Sequence, residues 1–145
     1  MSLIRRNLLV GAASVLVALP TPSFARSDVE ALVSAFAKGR QPVEGGLALD
    51  VPLTADNANA VPVGIKLQQR FTDSLWCEEI LVIADRNPRP AACRFLFERA
   101  MGMADVATRI RLAESQNVIA LARMSDGAVM MQTRPVTVTG GGCGM

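Results

Sequence analysis

The chain has 145 residues, of which 50% are apolar and 19% are charged, with 15 basic residues, 13 acidic residues and no histidine. Arg5 and Arg6 account for the net charge of +2, because no acidic residue precedes Asp28, so the rest of the chain is neutral. This balance gives no support for nucleic-acid binding or for a basic membrane-binding patch, and the length suits one domain with a single core.

The first 25 residues have the features of an export signal. Arg5 and Arg6 form a charged start, Leu8–Leu19 an apolar stretch too short to span a bilayer, and Ser23–Ala25 a cleavage site. The paired arginines favour the twin-arginine type, which is exported after folding; an ordinary secretory signal is the alternative. We therefore expect residues 1–25 to be removed and the mature protein to lie in the periplasm, with no membrane segment.

One short amphipathic helix is predicted at the start of the domain. Ser27 and Glu30 have the spacing of a capping box, in which each side chain satisfies a free amide of the helix start. Apolar residues then recur at helical spacing at Val29, Leu32, Val33 and Phe36. Gly39 is placed to end the helix, which we expect to pack on a sheet.

From Gly45 onward apolar residues recur at every second position, which is the spacing typical of β-strands. The predicted strands lie at about residues 47–53, 61–67, 80–84, 93–97, 106–112, 118–124 and 128–133, and the last continues through residues 136–139. Pro52 and Pro62 cannot donate to a ladder and place the first two strands at an edge or a bulge, whereas Ser125–Gly127 signals a hairpin. Residues 26–139 are thus predicted to form an immunoglobulin-like antiparallel β-sandwich.

A run of glycines around one cysteine marks residues 140–145. The flanking glycines are Gly140, Gly141, Gly142 and Gly144. Because glycine loses more backbone entropy on ordering than any other residue, we predict a mobile arm, in which Cys143 reaches about 13 to 14 Å beyond Thr139. Without histidine the thiol cannot belong to a Cys-His pair, so we interpret Cys143 as an attachment point. A frayed tail is the alternative.

Cys77 and Cys93 are the other two cysteines. In an oxidising compartment they would pair and leave Cys143 free. If their strands form a simple hairpin, however, the two positions are offset along it. Two inert buried thiols are therefore the favoured interpretation, and a disulfide remains the alternative.

The other residues that could bind a metal or an anion form less specific patterns. Sulfur ligands suit Cu(I), but Met130 and Met131 fall on opposite faces of one strand, so we interpret the methionines as core residues. Three cysteines at long spacing match no zinc pattern, and we expect no metal site. Arg109 and Arg111 share one strand face, which is either simply solvated or attracts an anionic substrate or partner.

Carboxylates give no support for a hydrolase. Glu78 and Glu79 are neighbours on a predicted strand, so we expect them to point to opposite faces, where they cannot cooperate. No glycine loop for phosphate or dinucleotide binding follows a strand. The chain is therefore predicted to be non-enzymatic.

Five segments resemble the SoxY sulfur carriers of the thiosulfate-oxidising Sox system. They are Asn87–Pro90, Thr108–Ala113, Gln116–Ala120, Met124–Gly127 and Gly141–Gly144. The resemblance is close over residues 79–145 and holds only in pattern for the helix and the first two strands. Met145 stands where the family ends in glycine.

The resemblance implies an immunoglobulin-like domain that forms a heterodimer with a second sandwich, SoxZ, and carries sulfur intermediates covalently on Cys143, with no other cofactor. A c-type cytochrome complex (SoxAX) would join thiosulfate to that thiol. A hydrolase (SoxB) would then release sulfate, and a sulfane dehydrogenase (SoxCD) would oxidise the remainder. The carrier itself would supply no catalytic group.

Two other classes of function remain open at this stage. A structural sandwich subunit would use Cys143 for an intermolecular disulfide, so non-reducing gels would contain stable dimers without sulfur adducts. A metal-binding protein with sulfur ligands would instead be identified by metal analysis.

Overall fold

A computed structural model describes residues 24–140, in which one helix lies on two packed β-sheets. The helix is α1 (Phe24–Ala37). The strands in this part of the chain are β1 (Val43–Glu44), β2 (Leu47–Asp50), β3 (Thr54–Ala55), β4 (Val61–Leu67), β5 (Cys77–Ala84), β6 (Ala91–Leu96), β7 (Asp105–Ile110), β8 (Gln116–Met124) and β9 (Val129–Val138). A single 3₁₀ turn at Arg99–Met101 lies between β6 and β7.

The larger sheet has the order β1-β9-β8-β5-β6, with β3 also paired to β9, and the smaller sheet has the order β2-β4-β7. All pairs are antiparallel except those of β1 and β3 with β9, which are parallel. The main apolar core lies between the two sheets and includes Ile65, Ile80 and Val118. The predicted β-sandwich is therefore confirmed.

All seven predicted strands are present, with bounds shifted by a few residues. The segments predicted at residues 128–133 and 136–139 form one strand, β9, which runs from Val129 to Val138 through Pro135. Pro135 lies between the stretch of β9 that pairs with β1 and the stretch that pairs with β3. No hydrogen bond of the ladder is therefore lost because of its missing N–H. The sequence did not predict β1 and β3, because two residues are too few to establish a period.

The prediction that Pro62 places its strand at a sheet edge is wrong. β4 is the central strand of the smaller sheet, between β2 and β7. Proline is tolerated there because β2 pairs only with Gly64–Leu67, so Pro62 has a strand neighbour on one side alone. Pro52 lies after β2, outside the ladder.

The helix packs on the outer face of the larger sheet through the predicted apolar stripe. Phe36 is buried against Leu81 and Leu121, and the other stripe residues pack around them. The predicted capping box is wrong for this chain, because α1 already includes Phe24 and Ser27 lies inside it. Alanine and arginine are good helix formers, which is consistent with helical geometry upstream of Ser27.

Two predicted segments fall largely outside the described residues. Of the export signal (residues 1–25) only Phe24 and Ala25 are described, and of the arm (residues 140–145) only Gly140. No helix between residues 24 and 140 has the length and apolar character needed to cross a membrane.

Candidate functional site: the end of the C-terminal strand

The strand that leads toward Cys143 is fixed to the body of the sandwich up to its last residues. On one side the amide of Thr137 donates to the carbonyl of Leu53 at 2.8 Å, and the amide of Thr139 donates to the carbonyl of Ala55 at 3.1 Å. These bonds continue the parallel pairing of β3 with β9. The backbone is therefore held by a ladder beyond the end of β9 itself.

Side chains from two loops extend this anchoring. The hydroxyl of Ser115 accepts a hydrogen bond from the amide of Val138 at 2.9 Å. The hydroxyl of Thr139 donates to Asp56 Oδ1, also at 2.9 Å. Gly140 packs so closely on the backbone of Asp56 that a Cβ at this position would collide with the Asp56 carbonyl oxygen. The last described residue is thus part of the folded body.

Replacement of Gly140 by alanine should therefore disturb this anchor. The added methyl cannot fit without moving the Asp56 backbone, so we expect a loss of about 1 to 3 kcal/mol in the free energy of unfolding, measured by denaturant unfolding. Gly64→Ala is the matched control, because its Cβ would meet its nearest atom, in Asp50, at 3.5 Å, an ordinary contact. Equal effects of the two substitutions would contradict the proposed close packing at Gly140.

The loop that precedes β6 and the loop that precedes β8 meet at the same end of the sandwich. Asn87 connects them: its Nδ2 donates to the carbonyl of Arg111 at 2.7 Å, and its Oδ1 accepts from the amide of Ala113 at 2.8 Å and from Gln116 Nε2 at 2.9 Å. Ser115, which binds β9, belongs to the second loop. The Asn-Pro-Arg-Pro segment is therefore connected to the strand end through a few hydrogen bonds.

Arginine side chains give this end a positive charge. A shallow pocket of about 360 Å³ is lined by Asn87, Pro88, Arg89, Arg111 and Ala113. Arg109 and Arg111 are both exposed, as predicted, while Ile110 between them is buried. Among residues 24–140, no carboxylate forms an ion pair with Arg89, Arg109 or Arg111. Their charges are thus available to an anion or to an acidic surface.

Cys77 and Cys93 form no disulfide in the structure, as the favoured interpretation predicts. Cys93 pairs with Val82 on β5, five residues from Cys77, which is too far along the strand for a disulfide. Cys77 is buried, whereas Cys93 is half-buried. Burial raises the pKa of both thiols, and that of Cys77 reaches about 11. Both are therefore protonated and poorly nucleophilic at neutral pH.

The raised pKa of Cys77 gives the protein a defined pH dependence. In the unfolded chain this thiol ionises at its ordinary value near 9.0, but in the folded state only near 11. The unfolded state therefore loses this proton first, and we expect the free energy of unfolding to fall by about 2 kcal/mol between pH 9 and 11. Chemical denaturation across this pH range measures the fall. If the free energy of unfolding of a Cys77→Ala variant fell just as steeply, the fall would be due to another titrating group.

The prediction that Glu78 and Glu79 point away from each other is wrong. The pairing of β5 with β8 passes from Cys77–Met124 to Glu79–Arg123, so Glu78 is the extra residue of a β-bulge. As a result both carboxylates reach one guanidinium: Arg123 Nη2 lies 2.7 Å from Glu79 Oε2, and its Nε lies 3.6 Å from Glu78 Oε2. The bulge interrupts the alternation of faces on which the prediction rested.

The cluster around Arg123 joins the helix to the sheet and is structural. Arg123 Nη1 donates to the carbonyl of Phe36 at 3.1 Å, and its guanidinium carbon lies 4.9 Å from the centre of the Phe36 ring. Arg94 Nη1 donates to the second oxygen of Glu79 at 2.8 Å. Glu79 is only 6% exposed, so these partners compensate for the loss of its hydration.

Among the predicted site residues, Gly140 is the only one that the structure describes; Cys143, Gly141, Gly142 and Gly144 lie outside residues 24–140. Within that range no three His, Cys, Asp or Glu side chains are grouped so that they could hold a metal ion. The sequence does not predict that Asp56 and Ser115 anchor the strand end. Their only signal is a position in polar loops, which does not reveal a contact with a distant strand.

Comparison with known proteins decides the family. The sequence matches the family described as "Sulfur oxidation protein SoxY" over residues 33–143, which is more than half of the chain and includes Cys143. The chain belongs to the SoxY family. The resemblance predicted from sequence segments in residues 79–145 is thereby confirmed, and the match extends it back into the helix.

Solved structures share the fold of this SoxY family member. The sulfur carrier protein SoxY from Chlorobium limicola f thiosulfatophilum has a TM-score of 0.64 at 21% identity, over 78% of this chain and 97% of that chain. A superoxide reductase (neelaredoxin) from Ignicoccus hospitalis has a TM-score of 0.57 at 13% identity, over 65% and 80%. At such identities the likeness concerns the fold alone. A comparison with curated proteins gave no match.

Proposed function

We propose that this chain carries sulfur covalently on Cys143 and presents it to the active sites of other proteins during thiosulfate oxidation. The observation that carries the proposal is the family match, which extends through residue 143. The anchored end of β9 supports it, because the segment that carries the thiol needs a rigid attachment point close by. Cys77 and Cys93 are poor alternatives, since burial raises the pKa of each thiol.

The first chemical step joins thiosulfate to the thiol. A bond forms between Cys143 Sγ and the outer sulfur of thiosulfate, the thiol proton passes to water, and two electrons leave to a c-type cytochrome complex such as SoxAX. A hydrolase such as SoxB then adds water to the terminal sulfone group, releasing sulfate and leaving a persulfide on Cys143. An enzyme such as SoxCD oxidises the remaining sulfur. The carrier supplies no catalytic group in any of these steps.

The spacing between the anchor and the cysteine sets the working range of the thiol. Cys143 lies three positions beyond the packed Gly140, so the fully extended chain between them spans about 10 to 11 Å. This is less than the reach expected from the sequence, because Gly140 is itself packed on Asp56. The two residues before the cysteine, Gly141 and Gly142, carry no side chain that would add bulk beside the thiol. Such a tether suits entry into a cleft of another protein while the sandwich stays outside.

We place this carrier in the periplasm, exported after folding by a twin-arginine signal in residues 1–25. A SoxZ-like sandwich subunit is the proposed heterodimer partner and would cross the membrane already bound to the folded chain. SoxAX-, SoxB- and SoxCD-like enzymes would dock only transiently. The sulfur species on Cys143 takes the place of a cofactor.

Mass spectrometry of the purified protein after thiosulfate turnover tests the proposal. With SoxAX present, we expect a mass increment of one thiosulfonate group on the peptide that contains Cys143. With SoxB added, that increment should decrease to one sulfur atom. Disulfide-linked dimers without either increment would instead support the structural use of Cys143 and overturn the carrier role.

A further inference from the structure

The arginine pocket, which is the cavity lined by Arg89 and Arg111, is shaped by backbone that is already fixed. Asn87 Nδ2 donates to the backbone carbonyl of Arg111 at 2.7 Å, so one wall of the pocket is tied to the other. Pro88 and Pro90 restrict the backbone on either side of Arg89. An anion that binds in this pocket therefore does not have to order the backbone around it.

The charges of the arginine pocket favour an oxyanion. Within residues 24–140 neither of its guanidinium groups forms an ion pair. Two carboxylates at this end of the sandwich already have partners: Glu114 pairs with Arg86 at 3.6 Å, and Asp56 accepts from the hydroxyl of Thr139 at 2.9 Å. Arginine binds oxyanions through two parallel N–H···O bonds, so each free guanidinium can hold two oxygens of one group.

The chain beyond Gly140 starts close to this pocket. Ser115 accepts from the amide of Val138, and Ala113 of the pocket wall lies two positions before Ser115. At most about 7 to 8 Å therefore separates the Cα atoms of Ala113 and Ser115. Cys143 lies up to about 10 to 11 Å from Gly140, and a thiosulfonate attached to it extends further. The adduct is therefore within range of the pocket of its own domain.

From this charge and spacing we infer that the arginine pocket binds the terminal sulfone group of the thiosulfonate on Cys143 of the same molecule. That group carries three oxygens and a negative charge, which suits two guanidinium groups that lack carboxylate partners. A weak site is sufficient, because a short tether gives an effective concentration in the millimolar range. The inference rests on the proposed function, because it assigns a binding site to the group that the carrier holds.

Docking in the pocket distinguishes the two loaded forms of the carrier. Hydrolysis removes the sulfone group as sulfate and leaves a persulfide, whose single terminal sulfur offers no pair of oxygens for a bidentate contact. The thiosulfonate form is therefore held against the domain, whereas the persulfide form is released. While the thiosulfonate is held, its sulfur–sulfur bonds are also less accessible to reductants in solution.

Nuclear magnetic resonance of arginine side chains tests the docking directly. Tetrathionate loads Cys143 without an enzyme: the thiolate bonds to one inner sulfur, the central sulfur–sulfur bond breaks, and thiosulfate leaves. Once intact mass confirms one adduct, the Nε–H signals of Arg89 and Arg111 should shift. The signal of Arg70 should not, because Arg70 is exposed after β4 at the opposite end of the sandwich. A Cys143→Ser variant treated in the same way should show no shift.

The rate at which a neutral phosphine reduces the adduct measures the protection. In Arg89→Gln/Arg111→Gln the adduct should be reduced about fivefold faster than in the wild type at low salt, because the pocket no longer holds the sulfone group. The difference should shrink as ionic strength rises. Arg70→Gln is the matched control and should stay within about twofold of the wild type. Equal rates in the double variant and the wild type, or an equal effect of Arg70→Gln, would overturn the docking.

Titration of the unloaded protein with free thiosulfate separates the two sources of the anion. If free thiosulfate shifts the Arg89 and Arg111 signals but loading of Cys143 does not, the pocket binds a free anion and the intramolecular docking is wrong. If both shift the signals and SoxB then returns those of the loaded protein to their starting positions, the docking is supported. The carrier role is decided independently, by the mass increment after turnover with SoxAX, because tetrathionate loads the thiol chemically.

Discussion

Replacement of Cys143 by serine is expected to abolish the sulfur adduct completely. A serine hydroxyl cannot form the sulfur–sulfur bond that holds thiosulfonate or persulfide. Folding should be unaffected, because the two apolar cores lie within residues 24–140. Intact-mass measurement after incubation with thiosulfate and SoxAX gives the adduct level, and thermal unfolding followed by circular dichroism confirms the fold.

Cys93→Ser is the matched control for this experiment. Cys93 is half-buried and burial raises its pKa, so its removal should leave the adduct at the wild-type level. An adduct that persisted in the Cys143→Ser variant would show that another cysteine carries the sulfur. An adduct lost equally in both variants would indicate that Cys93 takes part in the transfer.

Removal of the guanidinium of Arg123 is expected to give a large loss of stability. In Arg123→Ala, the buried carboxylate of Glu79 loses its 2.7 Å ion pair, and Phe36 loses both its hydrogen-bond donor and its stacked cation. Arg94 still pairs with Glu79 and moderates the effect. We expect the free energy of unfolding to fall by about 3 kcal/mol, as measured by urea titration.

Arg94→Ala removes the other partner of Glu79 and serves as the comparison. The side chain of Arg94 is 56% exposed, against 14% for Arg123, so its pair is screened by water and its loss should lower the free energy of unfolding by about 1 kcal/mol or less. If Arg94→Ala proved as harmful as Arg123→Ala, the cluster would owe its stability to the exposed pair. A Glu79→Gln variant should lessen the effect of removing Arg123, because no buried charge is then left uncompensated.

The sequence predicted the fold well because the spacing of apolar residues along each strand and helix is local and periodic. Alternation in residues 61–67 and 118–124 places apolar side chains on one face, and the structure buries those faces. The helical spacing from Val29 to Phe36 similarly defines the stripe that packs on the sheet. The SoxY-like segments also predicted the family. They include residues that contact one another in the folded chain, such as Asn87 and the loop after Arg111.

The amino-acid sequence by itself determined the seven longer strands, the apolar face of the helix and the SoxY relationship, since period and motif are properties of neighbouring residues. Tertiary structure alone decided the bulge that brings Glu78 and Glu79 to Arg123, the single-sided pairing that accommodates Pro62, and the anchoring of Thr139 and Gly140 by Asp56. Each of these depends on which distant strand lies alongside and in what register. Such contacts arise only when segments far apart in the chain pack together, and no local pattern records them.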